Sequence, residues 1–194
     1  MTFRRFAPVL AGTAALVVAC SSGGGSSAIS IDELSKPGNT CPVRLAAAAA
    51  KAGLPSAPVT GSVATPATSA PRTDLAAAAI ARAYGVDAEC GLALPGGGSL
   101  DLLLVAARVD PAVNLLIPKI VNAGRLSSDQ VPGVLAAAAS TKPGHLVPLP
   151  GSGPVAVAIV RVDGAPSAAF VLSSKELDRS HVEAVARDLA GDPS

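Results

Sequence analysis

The chain of 194 residues carries 15 lysines and arginines against 14 aspartates and glutamates, a formal charge of +1. That balance offers no basic surplus to attract nucleic acid or anionic lipid. Aromatic residues make up 2% of the sequence and tryptophan is absent, which leaves little material for the stacking platforms of sugar clefts or single-stranded nucleic-acid grooves.

The first residues, MTFRRFAPVLAGTAALVVAC, set Arg4 and Arg5 ahead of an uncharged apolar stretch from Phe6 to Val18. This is the layout of a secretory signal peptide. An apolar run of about 13 residues is too short to cross a bilayer core of roughly 30 Å as a helix. Leu16-Val17-Val18-Ala19-Cys20 resembles the lipobox of bacterial lipoproteins, in which an aliphatic residue, a tolerant position and a small residue precede a cysteine. The resemblance covers the signal region alone. It implies that Cys20 receives a diacylglycerol thioether and becomes the mature N-terminus after cleavage behind Ala19. Phe6-Ala7-Pro8 fits the continuation of a twin-arginine motif poorly, so Sec export is the expected route.

Ser21 to Ser27 contains only serine and glycine, a composition that reads as a flexible tether. Two acyl chains on one cysteine, at about 0.8 kcal/mol per buried methylene, hold far better than one. The expected organisation is therefore a signal peptide over 1–19, a lipidated cysteine and tether over 20–40, and one extracytoplasmic domain over 41–191. Its alanine-rich style resembles actinobacterial proteins. With Cys20 committed to lipid, Cys41 and Cys90 remain, and in an oxidising compartment they are expected to pair. Closing that loop removes roughly 4 kcal/mol of entropy from the unfolded chain, as an upper figure.

Within the domain, PVRLAAAAAKAG (42–53) reads as a first helix, opened by proline and stopped by Gly53. Residues 54–72 carry four prolines and read as a surface loop with at most a short edge strand. TDLAAAAIARAYG, ending at Gly85, reads as a second helix. ECGLALP and SLDLLLVAAR form a hairpin around Pro95-Gly96-Gly97-Gly98, whose glycines lack the lysine and helix of a phosphate loop. Asp110-Pro111 is suited to cap a third helix interrupted by Pro118, and Ser127 to Gln130 match a capping box for a fourth. GHLVPLP gives a short strand, and PVAVAIVRVDGAPSAAFVLSS a hairpin turning at Asp163-Gly164. Ser173-x-x-Glu176 marks the start of a C-terminal helix. Its Leu177, Val182, Val185, Ala186 and Leu189 share an apolar face, while Arg179, Glu183 and Arg187 fall on a solvated one. The order of elements over 91–124 resembles that over 155–190. The fold class predicted is α+β, an antiparallel sheet of four to five strands packed against four to five helices.

Chemistry is harder to find. The two histidines, His145 and His181, fall in different elements without zinc-helix spacing. Gly151-Ser152-Gly153 is not a nucleophile elbow, and no lysine follows a serine at the spacing of penicillin-binding enzymes. Asp101, Asp110 and Asp163 sit near element ends, where they cap or turn. No catalytic residue, metal ligand or cofactor is therefore assigned. The expected function is a membrane-anchored envelope lipoprotein whose non-enzymatic domain binds a protein partner or an apolar ligand through an aliphatic surface. A cell-wall-acting hydrolase with an unrecognised site, and a lipid carrier, are the alternatives. Nucleic acid is not an expected partner.

Overall fold

The computed structural model of the chain describes residues 29–34, 41–55, 57–64, 84–95, 97–107 and 111–191. The signal region, Cys20, the Ser/Gly string, Asp110 and residues 73–83 of the expected second helix lie outside them. In chain order the elements are β1 (Ile29–Ser30), α1 (Ile31–Leu34), α2 (Leu45–Lys51), β2 (Val59–Ala64), β3 (Tyr84–Ala93) and β4 (Ser99–Ala107). There follow α3 (Val113–Gly124), a 3-10 turn (Ser128–Gln130), α4 (Val131–Ser140), β5 (His145–Leu146), β6 (Val155–Val160), β7 (Val162–Asp163), β8 (Ser167–Ser174) and α5 (Arg179–Ala190).

The sheet runs β2-β3-β4-β8-β6-β5 and every neighbouring pair is antiparallel. Its centre is buried on both faces, which is why β4 and β8 read as continuous apolar runs and not as alternating ones. On one face Leu100, Leu102, Leu104 and Phe170 meet Leu45 and Ala48 of α2 and Val182 and Val185 of α5. On the other face Val105, Ala169 and Val171 meet Leu116 and Ile120 of α3 and Val134 of α4. Helices thus cover both sides of an antiparallel sheet.

The α+β class is as expected, with six strands in the sheet where four or five were predicted. The difference comes from short edges. The proline-rich stretch supplies β2, which pairs only with β3, and β5 contributes two residues beside β6. The disulfide also forms as expected: Cys41, just ahead of α2, bonds Cys90 in β3, with Cα atoms 5.4 Å apart, inside the reach of such a bond. The capping box is present, Ser127 N–H donating to Gln130 Oε1 at 2.9 Å, and α3 continues through Pro118 as one helix.

Four expectations are corrected. Residues 29–34, placed by the sequence in the tether segment 20–40, belong to the folded body. β1 pairs in parallel with β7, Ile29 opposite Val162, and Leu34 is 1% exposed. Gly164 serves this contact twice, because its φ of +86° favours glycine and a Cβ there would lie 2.9 Å from Ile31 Cγ2. Tyr84 and Gly85, read as a helix end, open β3 beside a register shift between Tyr84 and Val86. Ser173 does not start α5; its register partner is Asp101, and β8 runs on through Ser174 opposite Leu100. The helix is capped five residues later, at Asp178, whose side chain accepts the N–H of His181. Finally, the similar order of 91–124 and 155–190 is not a structural repeat. β4 and β8 are antiparallel neighbours, yet α3 and α5 lie on opposite faces. A two-fold axis normal to the sheet would place both helices on the same face.

Candidate functional site

The strands leave one end of the sheet open. β4 starts there, β8 ends there, and the C-terminal half of α3 crosses above. Between them lies a cleft of about 840 Å³ lined by Ser99, Asp101, Lys119, Asn122, Arg125, Ser173, Ser174, Lys175 and Glu176, with Pro118, Ala123 and Pro154 as its main apolar contributors. Asp101 and Lys119 also line a second recess of about 330 Å³, with Thr60, Glu89 and Gly91. The two volumes adjoin at those shared residues. Together they fall in the size range of small-molecule sites.

The floor is built by the sheet register. Gly91 stands beside Asp101 on β4 and Thr60 on β2. A Cβ at Gly91 would lie 3.3 Å from Thr60 Oγ1 and 3.6 Å from Asp101 Oδ1, so the missing side chain is what leaves the recess open. A glycine inside a strand marks such a close approach more often than it marks a good strand. Ser99 Oγ donates to Asp101 Oδ2 at 3.0 Å. Ser174 Oγ lies 2.9 Å from the Ser99 carbonyl and 3.2 Å from Glu176 Oε2, and it accepts the N–H groups of Glu176 and Leu177. Ser173 and Ser174 are the polar residues that count as buried among the described residues. Asp101, read from the sequence as a capping or turn residue, is therefore a strand residue facing a cleft.

The cations of the cleft are different. Among the described residues none hydrogen-bonds or ion-pairs with the side chains of Lys119, Arg125 or Lys175. Arg125 also has an unusual backbone. It caps α3 at φ 52°, ψ 44°, and it is the one non-glycine residue with positive φ among the described residues. Glycine would ordinarily take that place. Here the glycine sits one residue earlier: Gly124 is buried, and a Cβ on it would lie 3.2 Å from both Leu126 Cγ and Val155 Cγ1. Packing claims the glycine, and the left-handed position falls to an arginine that points its charge at the cleft rim.

The remaining polar groups hold the fold. Arg179 Nε donates to Glu183 Oε1 at 2.7 Å, and its guanidinium also reaches the carbonyls of Leu149 (3.0 Å) and Gly151. The face of Arg179, Glu183 and Arg187, expected to be a solvated surface, is thus half-buried and clasps the 149–151 loop against α5. Asp178 caps that helix, and hydrogen bonds from Ser180 Oγ (2.7 Å) and from the backbone and ring of His181 hold its carboxyl well below the usual carboxylate range. His145 lies in β5 opposite Ile159. Its neighbour Gly144 packs near the Ala190 carbonyl, whereas His181 is in the first turn of α5, about 14 Å back along the axis at 1.5 Å per residue. The structure does not bring the two histidines together. Asp163 ends β7, exposed, at the far end of the sheet from Asp101.

Among the described residues no three His, Cys, Asp or Glu side chains gather as a metal group, and no helix is long and apolar enough to cross a membrane. Sequence reasoning missed Lys119, Arg125, Lys175 and Glu176. The one local signal was the order Gly124-Arg125 at a helix end, where a cap glycine followed by a polar residue is unremarkable until the backbone is seen. Comparison with protein-family models, curated proteins and solved structures finds no match for the chain.

Proposed function

We propose that this chain is a cell-envelope lipoprotein, held to the outer face of a membrane by lipid at Cys20, whose folded domain is a non-enzymatic binding module using the cleft between α3 and the open end of the sheet. The observation that carries the binding face is the set of three cations, Lys119, Arg125 and Lys175, that line a preformed volume and have no side-chain partner among the described residues. Ligand sites are concave, with a small number of polar or charged groups placed to fix the ligand's orientation. An apolar ligand under the sheet is the weaker reading, because both central faces are filled by helices.

The position of the cleft supports the anchored reading. The chain enters the body at β1, which pairs with β7 beside the β6–β8 turn. The cleft lies at the other end of β8, where Ser174 pairs with Leu100. An anchor ahead of β1 would join the body at the end of β8 opposite the cleft.

Two measurements in cells test the proposal. Cys20→Ala should yield unprocessed or shed protein without diacylglycerol mass, whereas a lipid-free mature form of the parent chain would refute the anchor. A photo-crosslinking residue at position 125 should capture an adduct that the same residue at position 161, near β7, does not. Equal capture at both positions, or none at 125, would refute the cleft as the binding face.

A further inference from the structure

The cleft and its recess differ in charge. The cleft brings Lys119, Arg125 and Lys175 against Asp101 and Glu176, whereas the recess brings Glu89 and Asp101 against Lys119 alone. Glu176 and Asp101 already take hydrogen bonds from Ser174 and Ser99. Glu89, like the cleft cations, has no hydrogen bond or ion pair with any described residue. A positive end and a negative end, neither satisfied by a described residue, therefore lie in neighbouring cavities that share Asp101 and Lys119.

We propose that the cleft and the neighbouring recess together bind a small soluble zwitterion, its carboxylate at Arg125 and its amine at Glu89, of which a short peptide is the simplest form. The inference rests on the cleft being the binding face. Arg125 has the planar, always-charged fork that matches a carboxylate in two parallel hydrogen bonds. Its left-handed backbone is the kind of sparsely populated conformation that concentrates at ligand sites. At the other end, the space that Gly91 leaves between Thr60 and Asp101 admits a small group against the sheet floor, with Glu89 beside it. The apolar side chains lining the cleft are the short ones of Pro118, Ala123 and Pro154, and the mature chain keeps only Tyr84 and Phe170 as aromatics. A lipid tail or a stacked sugar ring would find little to hold it; a peptide backbone with charged ends needs neither.

Titration calorimetry on the full chain, purified in detergent, tests this with four probes: trialanine, N-acetyl-trialanine, trialanine amide, and the form blocked at both ends. Trialanine should bind, and each single block should weaken binding about tenfold or more, the usual worth of a charge-assisted hydrogen bond. Arg125→Gln should weaken trialanine but leave trialanine amide unchanged, and Glu89→Gln should do the converse with the N-acetylated form. A binding constant indifferent to either block overturns the proposal, as does failure of all four probes to bind. Failure here alongside a cellular adduct at position 125 removes the zwitterion and leaves the cleft; loss of both removes the cleft as well.

Discussion

Replacing Arg125 by glycine removes a charged side chain from an exposed helix end, yet the structure implies no loss of stability. At φ 52° and ψ 44° an L-residue meets its own carbonyl, at a cost of about 1–2 kcal/mol. Glycine escapes that cost but gives back about 0.5–1 kcal/mol through its freer unfolded chain. Losing a cation at a helix C-terminus costs about 0.3–1 kcal/mol more. The balance leaves Arg125→Gly level with the parent or about 0.5 kcal/mol above it. Alanine provides the control. It loses the same charge and keeps the strain, so Arg125→Ala should fall about 0.5 kcal/mol below the parent and about 1 kcal/mol below the glycine variant. Urea unfolding followed by far-UV circular dichroism, with unchanged slopes in denaturant, reads the gap; in a chain of this size about 1 kcal/mol moves Tm by roughly 2–4 °C. An alanine variant as stable as the glycine variant would show that the position is unstrained, and the argument that Arg125 is kept at a cost to folding would fail.

Breaking the 49-residue loop with the double substitution Cys41→Ser and Cys90→Ser should cost up to about 4 kcal/mol, a large share of a typical 5–15 kcal/mol. Chemical denaturation with and without reductant measures it, and a loss under about 1 kcal/mol would mean that the bond does not constrain the unfolded chain as supposed. Asp178, with its carboxyl pKa depressed by Ser180 and His181, stabilises the fold above its unfolded value of about 4, and that contribution is lost as pH falls toward the lower folded value. Asp178→Asn, still a competent cap, should therefore flatten the decline of Tm between about pH 6 and pH 2 and change it little at neutrality; an unaltered acid limb would contradict the role.

Local signals in the sequence were good guides wherever the chain solves a local problem. The capping box at Ser127 and Gln130, the stop at Gly53 and the turn at Gly164 each follow from one or two residues satisfying their own backbone, and each is found in place. The disulfide was legible because, once Cys20 is read as a lipidation site, two cysteines remain and leave little choice. What the sequence hid depends on distant strands. Ser173 and Glu176 have the spacing of a helix start, but β4 offers a register that carries β8 through Ser173 to Ser174. Ile29–Leu34 look like the end of a polar leader until β7 provides a partner. The cleft was hidden for the same reason: Lys119 and Arg125 of α3 and its cap, Lys175, Asp101 and Glu89 come from four separate stretches, and only the sheet order places them around the cleft and its neighbouring recess.

The docking of β1 onto β7 also fixes how far the domain can stray. Eight residues separate Cys20 from Ile29, and whatever shape they take, such a segment reaches at most about 30 Å. With Cys20 acylated, the β7 end is confined to a shell about as deep as the bilayer core is thick. The eight residues of β8 add roughly 26 Å at about 3.3 Å each, which puts the far mouth of the sheet up to about 55 Å out. Copies side by side on one membrane would then hold their clefts at a common ceiling, sampling a thin layer of the envelope at high local concentration. Lengthening the Ser/Gly string would raise that ceiling without touching the fold.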